Sequence, residues 1–265
     1  MASQESERRR LCGPAEIERA LARAGDFASD SDPRSDLAIQ MIFCLDESRD
    51  AAVARVVDRA GSMGIAIRRV SAREMLRLAP PGGETQILAL VGPALGTSLE
   101  AVMQQPGVVW LLVECVYPSN AGVVIRSAEV SGAAGVVIAS DFDRVERRDC
   151  LRYAMRVDRF FPVHFEDAGR SIALARAAGR TIVAVEDVGK HAPWQIDLRG
   201  PLMIAVGGEE GGIPDALLAQ ADQVVRVPMH GFLPSYNLQS AMAVVMGERL
   251  RQGHGQGHAQ ADGQA

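Results

Sequence analysis

Three loops in this 265-residue chain combine glycine, proline and polar side chains in patterns that can serve chemistry. They span 117–122, 207–214 and 229–237, and a predicted helix carrying Arg126 follows the first of them. Any single loop of this kind can be a simple turn, because glycine, proline and asparagine are common turn residues. All three follow apolar runs that are typical of strands, which favours a binding site over three unrelated turns.

Several motifs that are absent from the sequence exclude some kinds of ligand and reaction at these loops. There is no G-x-x-x-x-G-K-[ST] phosphate loop and no G-x-G-x-x-G after the first strand, and Ser235 is not in a G-x-S-x-G elbow. Glu209 and Glu210 in the second loop would repel a phosphate. Glycines allow close approach of backbone groups, so this loop suits a neutral or cationic ligand such as S-adenosylmethionine.

Together the three loops resemble the three motifs of the SpoU/TrmH family of RNA 2′-O-ribose methyltransferases, in the SPOUT superfamily. The motifs are N-x-G-x-x-x-R-x-A, G-x-E-x-x-G-[IV], and [VI]-P-M-x-G followed by S-L-N. The matching residues, in chain order, are Asn120, Gly122, Arg126, Ala128, Gly207, Glu209, Gly212, Ile213, Val227, Pro228, Met229, Gly231, Ser235 and Asn237. The resemblance covers roughly 106–251.

The resemblance implies an S-adenosylmethionine-dependent methyltransferase that modifies a ribose 2′-hydroxyl in structured RNA, with ribosomal RNA favoured slightly over transfer RNA. It also implies a homodimer and a deep trefoil knot in the catalytic domain, a rare exception to unknotted folding. The unit at 37–93 resembles, more loosely, the small RNA-binding domain that precedes the catalytic domain in many members. The alternatives are a non-catalytic RNA-binding protein that keeps the knotted fold, and a small-molecule enzyme using Glu209 or Glu210 as a base.

Residue roles follow from the same resemblance. The implied catalytic group is Arg126, Asn120, Glu209, Ser235 and Asn237. The implied cofactor contacts are Gly207, Gly212, Val227, Met229 and Tyr236. In this family the arginine of the first motif, Arg126 here, is the residue proposed to activate the ribose 2′-hydroxyl. A guanidinium, with a pKa above about 12, is a poor base, so the alternative is that Arg126 binds phosphate and orients the ribose.

Two positions depart from the family pattern. Tyr236 stands where the third motif usually has leucine, and Tyr117 replaces an acidic residue often found before the proline of the first motif. The first departure puts the shape of the adenine pocket in doubt. Ser235 and Asn237 also suit an N-cap pair that opens the last helix.

A row of arginines provides a second candidate surface. Arg144, Arg148, Arg152 and Arg156 recur every four residues, so a helix over 144–157 would place them on one face. This spacing predicts an RNA-phosphate contact. The alternative is a solvated face with ion pairs inside the helix.

The elements that must position these residues predict an α/β fold. Apolar runs at 108–113, 135–139, 181–185, 202–206 and 223–228 alternate with helical patterns, which favours a mostly parallel sheet buried on both faces. In such sheets ligands lie beyond the carboxyl ends of the strands. The predicted domains are an N-terminal arm and linker (1–35), a small α/β RNA-binding domain (36–95), a SPOUT methyltransferase domain (106–251) and a disordered tail (252–265).

Composition excludes several other classes. With 28 Lys and Arg against 33 Asp and Glu, the chain is not a polycation that coats nucleic acid. No apolar run reaches the length needed to span a bilayer. The cysteines are scattered, without a C-x-x-C pair, so we expect neither a disulfide framework nor a metal site. Free cysteines are typical of cytoplasmic proteins, so we expect a cytoplasmic location.

Overall fold

A computed structural model describes residues 10–23, 37–80, 85–93, 96–233 and 235–258. The chain divides into two compact units. The N-terminal unit is Ser3–Gly96, and the C-terminal unit contains Thr97–Ala265.

The N-terminal unit is a four-stranded mixed sheet with helices on its faces. Its elements are β1 (Arg10–Cys12), α1 (Pro14–Arg23), β2 (Leu37–Leu45), α2 (Ala51–Ser62), β3 (Ala66–Val70), α3 (Ala72–Leu78) and β4 (Ile87–Pro93). The strand order is β1-β4-β2-β3, in which β3 is parallel to β2 and β4 is antiparallel to both of its neighbours.

Residues 10–23, which lie within the segment predicted as an N-terminal arm and linker (1–35), belong to the core of this unit. Strand β1 pairs with β4, and Ile17 and Leu21 of α1 are fully buried. The partner strand lies far along the chain, which is why a local pattern did not reveal the pairing. Residues 1–9 and 24–36 of the predicted arm and linker lie outside the described residues.

The C-terminal unit is built on a six-stranded sheet in which every described strand pair is parallel. Its elements are α4 (Leu99–Gln104), β5 (Val108–Val113), α5 (Pro118–Val130), β6 (Gly135–Ala139), α6 (Arg144–Tyr153), β7 (Val163–Phe165), α7 (Ala168–Ala177), β8 (Thr181–Val185), β9 (Leu202–Gly207), α8 (Asp215–Leu218), β10 (Gln223–Val225) and α9 (Leu238–His258). Every residue of β5 is buried, because apolar clusters cover both faces of the sheet. The predicted α/β class with a parallel sheet is confirmed.

The strand order is β10-β8-β9-β5-β6-β7. The chain runs outward from β5 through β6 to β7, and then crosses to build β8, β9 and β10 on the other side of β5. The neighbours β5 and β9 therefore flank the point where the direction of winding reverses, which is where open parallel sheets bind ligands.

A buried arginine lies at the amino ends of the strands, opposite the edge where ligands bind. Arg180 is 3% exposed and donates hydrogen bonds to backbone carbonyl groups, with no acidic partner among the described residues. Its acceptors are the carbonyl oxygens of Val102, Met103, Gln105, Gly107 and Leu202. Burial lowers the pKa of Arg180 to about 10, so it stays charged at neutral pH and satisfies the carbonyl groups at the end of α4.

Two helix boundaries differ from those predicted. Helix α6 ends at Tyr153, not at 157, and α9 extends to His258 into the segment predicted as a disordered tail. Residues 259–265 of that tail lie outside the described part of the chain. None of the described helices has the length and apolarity needed to cross a membrane. The trefoil knot and the domain limits at 35, 95 and 106 remain predictions.

Candidate functional site

Glu209 connects the second loop to the first at the carboxyl ends of β9 and β5. Its Oε2 accepts a hydrogen bond from the Val116 amide at 2.9 Å, and its Oε1 accepts one from the Asn120 side-chain amide. The Cys115 thiol lies 3.7 Å from the same Oε1. Burial and the neighbouring Glu209 carboxylate raise the pKa of Cys115 to about 12, so this thiol stays protonated. The half-buried carboxylate therefore orients the first loop.

Asn120 extends the connection to the third loop. Its Oδ1 accepts a hydrogen bond from the Gln239 side-chain amide at 2.7 Å, and Gln239 lies in the first turn of α9. The Asn237 side-chain oxygen accepts a hydrogen bond from the backbone amide of Gln239 at 2.9 Å and so caps that helix. The chain of contacts Glu209–Asn120–Gln239–Asn237 joins all three loops. The motif pattern did not single out Gln239.

The other third-loop candidates are more exposed. The Tyr236 hydroxyl donates to the carbonyl oxygen of Pro228 at 3.3 Å, which closes the loop on itself. Ser235 is exposed and makes no hydrogen bond with any residue that the structure describes. Among the described residues Asn237 therefore caps α9 without Ser235, so the alternative of a Ser235–Asn237 capping pair does not hold for Ser235. The backbone turns into the helix only at Asn237, where a side-chain oxygen can reach the free amides.

Glycines are required where the second loop packs on its neighbours. A Cβ at Gly207 would overlap the backbone of Gly212, and a Cβ at Gly208 would overlap the carbonyl oxygen of Glu114. Gly212 has a φ of +66°, in the left-handed region that favours glycine. Backbone contact, not side chains, therefore sets the shape of this loop.

Glu186, which directly follows β8, also holds the second loop. Its Oε2 accepts a hydrogen bond from the Ile213 amide at 2.8 Å, and the same oxygen lies 2.7 Å from where a Cβ on Gly212 would be. We did not predict a role for Glu186 from the sequence. A carboxylate directly after an apolar strand is the signal that could have found it.

Arg126, like Ser235, is a catalytic candidate that takes no part in these contacts among the described residues. It is exposed on α5 and makes no hydrogen bond or ion pair with the described residues. Gly122, one turn earlier, packs α5 against α6, because a Cβ there would lie 2.5 Å from the Cys150 carbonyl oxygen. The guanidinium donors of Arg126 are thus available to an external ligand.

The cofactor candidates lie on the loops that follow β9 and β10. Val227 is buried, Met229 is half-buried, and Tyr236 is 48% exposed. Gly207 ends β9, and Gly212 lies at the far end of the second loop. Since β8 separates β9 from β10 in the sheet, Glu186 lies between the two groups of candidates.

The arginine row does not form one continuous helical face. Arg144, Arg148 and Arg152 lie on α6, but Arg156 follows the helix with a φ of +59°. Arg156 makes two 3.0 Å hydrogen bonds to the Asp158 carboxylate, so its charge is already paired. The expected four-residue face is wrong in this respect, because the helix stops at Tyr153.

The remaining arginines on α6 differ in their contacts. Arg152 lies 3.4 Å from Asp149 and 4.8 Å from the ring centre of Tyr153. Arg144 and Arg148 are exposed and have no ion pair within the described part of the chain. No group of three or more metal-ligating side chains occurs among the described residues.

Comparison with known proteins gives a consistent picture. The model of the SpoU rRNA Methylase family matches residues 107–247. The chain is 24% identical over 219 residues to the 23S rRNA (guanosine-2'-O-)-methyltransferase RlmB of Photobacterium profundum, covering 80% of this chain and 89% of that protein. It is 28% identical over 231 residues to an uncharacterized tRNA/rRNA methyltransferase of Mycolicibacterium vanbaalenii, covering 81% and 71% respectively.

Solved structures share the fold. The SpoU methyltransferase AviRb from Streptomyces viridochromogenes, in complex with the cofactor AdoMet, superposes with a TM-score of 0.55 at 20% identity, covering 93% of this chain and 90% of that one. An AdoMet-bound rRNA methyltransferase from Sinorhizobium meliloti gives a TM-score of 0.54 at 20% identity, covering 91% and 86%.

Proposed function

From the premise that this chain belongs to the SpoU rRNA Methylase family, we propose that it methylates a ribose 2′-hydroxyl in structured RNA. Members of this family are S-adenosylmethionine-dependent RNA methyltransferases, and this chain is one of them. Its RNA substrate and the role of each residue are what we propose. Ribosomal RNA is the preferred substrate and transfer RNA the second. The proposed location is the cytoplasm, where both RNAs are found.

The observation that carries the proposal is the contact between the three loops. Glu209 binds Asn120, and Asn120 binds Gln239 at the start of α9. A protein that kept the fold only for stability would not need these polar residues on three separate loops to meet. Their contact supports an enzyme over the non-catalytic RNA-binding alternative.

The residues around the second loop fit S-adenosylmethionine. The tight glycine packing at Gly207 and Gly208 leaves backbone groups, not side chains, to line this edge. Glu186 and Glu209 add negative charge, which suits a cationic sulfonium. We propose Gly207, Gly212, Val227, Met229 and Tyr236 as the groups that would hold the cofactor, which supplies the methyl group when bound.

We propose that Arg126 binds and orients the RNA substrate. A guanidinium carries only donors, and those of Arg126 are not used by any described residue. Held over a phosphate, it would bring the ribose hydroxyl into line with the methyl group. Asn120, Glu209 and Asn237 position the loops around it, and the exposed hydroxyl of Ser235 is free to contact the ribose.

Arg144, Arg148 and Arg152 are the proposed RNA-phosphate contacts outside this site. A homodimer is also part of the proposal. Exposed apolar side chains on α5 and in the third loop support it, since a second copy could cover them. They include Val123 at 38%, Val130 at 76% and Phe232 at 101% exposure.

Methyl transfer into total RNA tests this function directly. Wild-type protein should incorporate labelled methyl groups from S-adenosylmethionine, and Arg126→Ala should lower the rate by about 100-fold or more because orientation is lost. Ser127→Ala is the matched control, since among the described residues the Ser127 hydroxyl hydrogen-bonds only to the Val123 carbonyl oxygen of its own helix.

Mapping of the labelled product decides the reaction type. We expect 2′-O-methyl ribose within ribosomal RNA. Label on bases alone would contradict the proposal, and cofactor binding without any transfer would favour the non-catalytic alternative.

A further inference from the structure

All three tyrosines of the chain are about half-exposed. Tyr117 lies in the first loop at 52% exposure, Tyr153 ends α6 at 45%, and Tyr236 lies in the third loop. The hydroxyl of Tyr236 is engaged by the carbonyl oxygen of Pro228. The hydroxyls of Tyr117 and Tyr153 make no hydrogen bond with any residue that the structure describes. These two side chains therefore offer ring surface and a hydroxyl to an external partner.

Tyr153 lies beside the helix that carries Arg126. A Cβ at Gly122 would lie 2.5 Å from the Tyr153 Cβ, so Tyr153 packs directly against the first turns of α5. Gly122 and Arg126 are four residues apart and share one face of α5. Arg126 is exposed about one turn, or roughly 6 Å, further along this face. Tyr153 therefore lies near the proposed position of the target ribose.

Tyr117 lies at the amino-terminal end of the same helix. It is the N-cap residue of α5, and its carbonyl oxygen accepts hydrogen bonds from the Asn120 and Ala121 amides. Its side chain takes no part in the cap. The five residues from Tyr117 to Gly122 correspond to about 7.5 Å along a helix axis. Tyr117 and Tyr153 therefore both lie at the amino-terminal end of α5.

Arginine side chains adjoin the Tyr153 ring. The Arg152 guanidinium lies 4.8 Å from the ring centre, and its Nε lies 3.4 Å from the Asp149 carboxylate. Arg152 is the last of the arginines that recur every four residues on α6, after Arg144 and Arg148. Cation–π contact holds the ring, while Arg144 and Arg148 have no ion pair within the described part of the chain. An aromatic ring at the end of a row of cations fits RNA, whose bases stack and whose phosphates are negative.

We propose that Tyr117 and Tyr153 are base-stacking contacts for the nucleotides that flank the target ribose, an inference that rests on the proposed function. Aromatic side chains stack on bases whose faces are free, so the substrate segment would be unpaired RNA. The bases inside a duplex stack on each other and offer no free face. Arg152 supports the same role, since a guanidinium can also stack on a base. Stacking on either side would hold the ribose hydroxyl near Arg126.

Binding of short RNA to the full chain tests these contacts without methyl transfer. The probes are a short RNA strand without self-complementarity and the same strand annealed to its complement, titrated at several salt concentrations. Tyr153→Leu should weaken single-strand binding by about tenfold, the size of one lost stacking contact. The slope of log affinity against log salt should not change, because stacking releases no counterions. Duplex affinity should change by less than about twofold.

Three further variants sharpen this test. Tyr153→Phe keeps the ring and should retain single-strand affinity within about twofold. Tyr117→Leu should lower single-strand affinity in the same way as Tyr153→Leu. Trp194→Leu is the matched control and should leave affinity unchanged. Trp194 is an aromatic residue at 53% exposure between β8 and β9, in a segment that Gln252 holds from the second half of α9 through the Ile196 carbonyl oxygen.

Several results would overturn the inference. They are wild-type protein without measurable single-strand binding, unchanged single-strand affinity in both leucine variants, and equal losses for single strand and duplex. Equal losses in Tyr153→Phe and Tyr153→Leu would also contradict stacking. A second copy of this chain is the competing occupant of the rings. Sedimentation showing a smaller oligomer for the leucine variants, with affinity lost only in parallel, would assign the rings to an interface between copies and overturn the inference.

The methyl-transfer assay separates this inference from the proposed function. Ribose methylation by both leucine variants with an unchanged KM for RNA would remove the stacking contacts and leave the function standing. A single-strand preference that both leucine substitutions abolish, without methyl transfer to any RNA, would support the contacts and contradict the function.

Discussion

The loops around Glu209 and the arginine helix α6 belong to the same unit but use charge in opposite ways. Glu209 is half-buried and its two oxygens are engaged by groups of the first loop. Arg144 and Arg148 on α6 are exposed and have no ion pair among the described residues. In the loops, single atomic contacts decide the geometry. On the helix, we expect the number of exposed charges to set RNA affinity.

The largest expected effect is in the loops, from Gly208→Ala. Its Cβ would overlap the carbonyl oxygen of Glu114, so the second loop would have to move away from β5. We expect methyl transfer to fall by at least about 100-fold, because a shift near 1 Å is enough for such a loss. Initial rates and calorimetric S-adenosylmethionine affinity would measure it.

Gly211→Ala is the matched control for that change. Its Cβ would meet only the Glu114 carboxylate at 3.6 Å, an ordinary contact. If both variants lost the same activity, the loop would be sensitive to any added atom, and the specific contact with Glu114 would not be the cause.

Glu209→Gln is expected to have the next largest effect. The amide replaces a charged acceptor and turns an N–H₂ group toward the Val116 or Asn120 donors. The lost hydrogen bonds should cost about 1–3 kcal/mol and lower methyl transfer by roughly tenfold or more. Denaturant unfolding and initial rates would measure the two effects, with the exposed Glu210→Gln as control. Equal results for both variants would remove the distinction between the held and the free carboxylate.

Arg148→Ala should have a smaller, graded effect on RNA binding. Loss of one phosphate contact should weaken affinity a few-fold and lower the slope of log affinity against log salt by about 1. Filter binding to ribosomal RNA at several salt concentrations would measure both quantities. An unchanged slope would exclude α6 as a phosphate contact.

Arg156→Ala is expected to have the smallest effect. Its guanidinium is already paired with Asp158 outside the helix, so RNA affinity should change by less than about twofold. The same salt titration would test this. A loss equal to that of Arg148→Ala would show that the ion pair opens to bind RNA and would restore the four-arginine surface.

Strand and helix types in the C-terminal unit were predictable because they depend on local pattern. The apolar runs at 108–113, 135–139, 181–185 and 202–206 all became buried strands of the parallel sheet. Pairing partners were not predictable. Strand β1 pairs with β4, and nothing near residue 10 in the sequence indicates that contact.

For the candidate site, the three loops and their glycines were predictable, whereas the connections between them were not. Nothing in the motif pattern predicted that Gln239 would link Asn120 to the last helix, or that Glu186 would hold the Ile213 amide. The arginine spacing predicted one helical face, but it did not show that the helix ends at Tyr153.

By itself the sequence determined where glycine, carboxylate and arginine groups occur along the chain and which runs form strands and helices. Those properties follow from side-chain chemistry and from interactions between residues close in sequence. Only the tertiary structure decided that Glu209, Asn120 and Gln239 meet, that Glu114 and Arg147 line one cavity, and that Arg156 pairs with Asp158. The first two outcomes depend on the strand order, and the third depends on where helix α6 ends. Strand order and helix ends are set by burial across the whole unit, which a local sequence pattern does not contain.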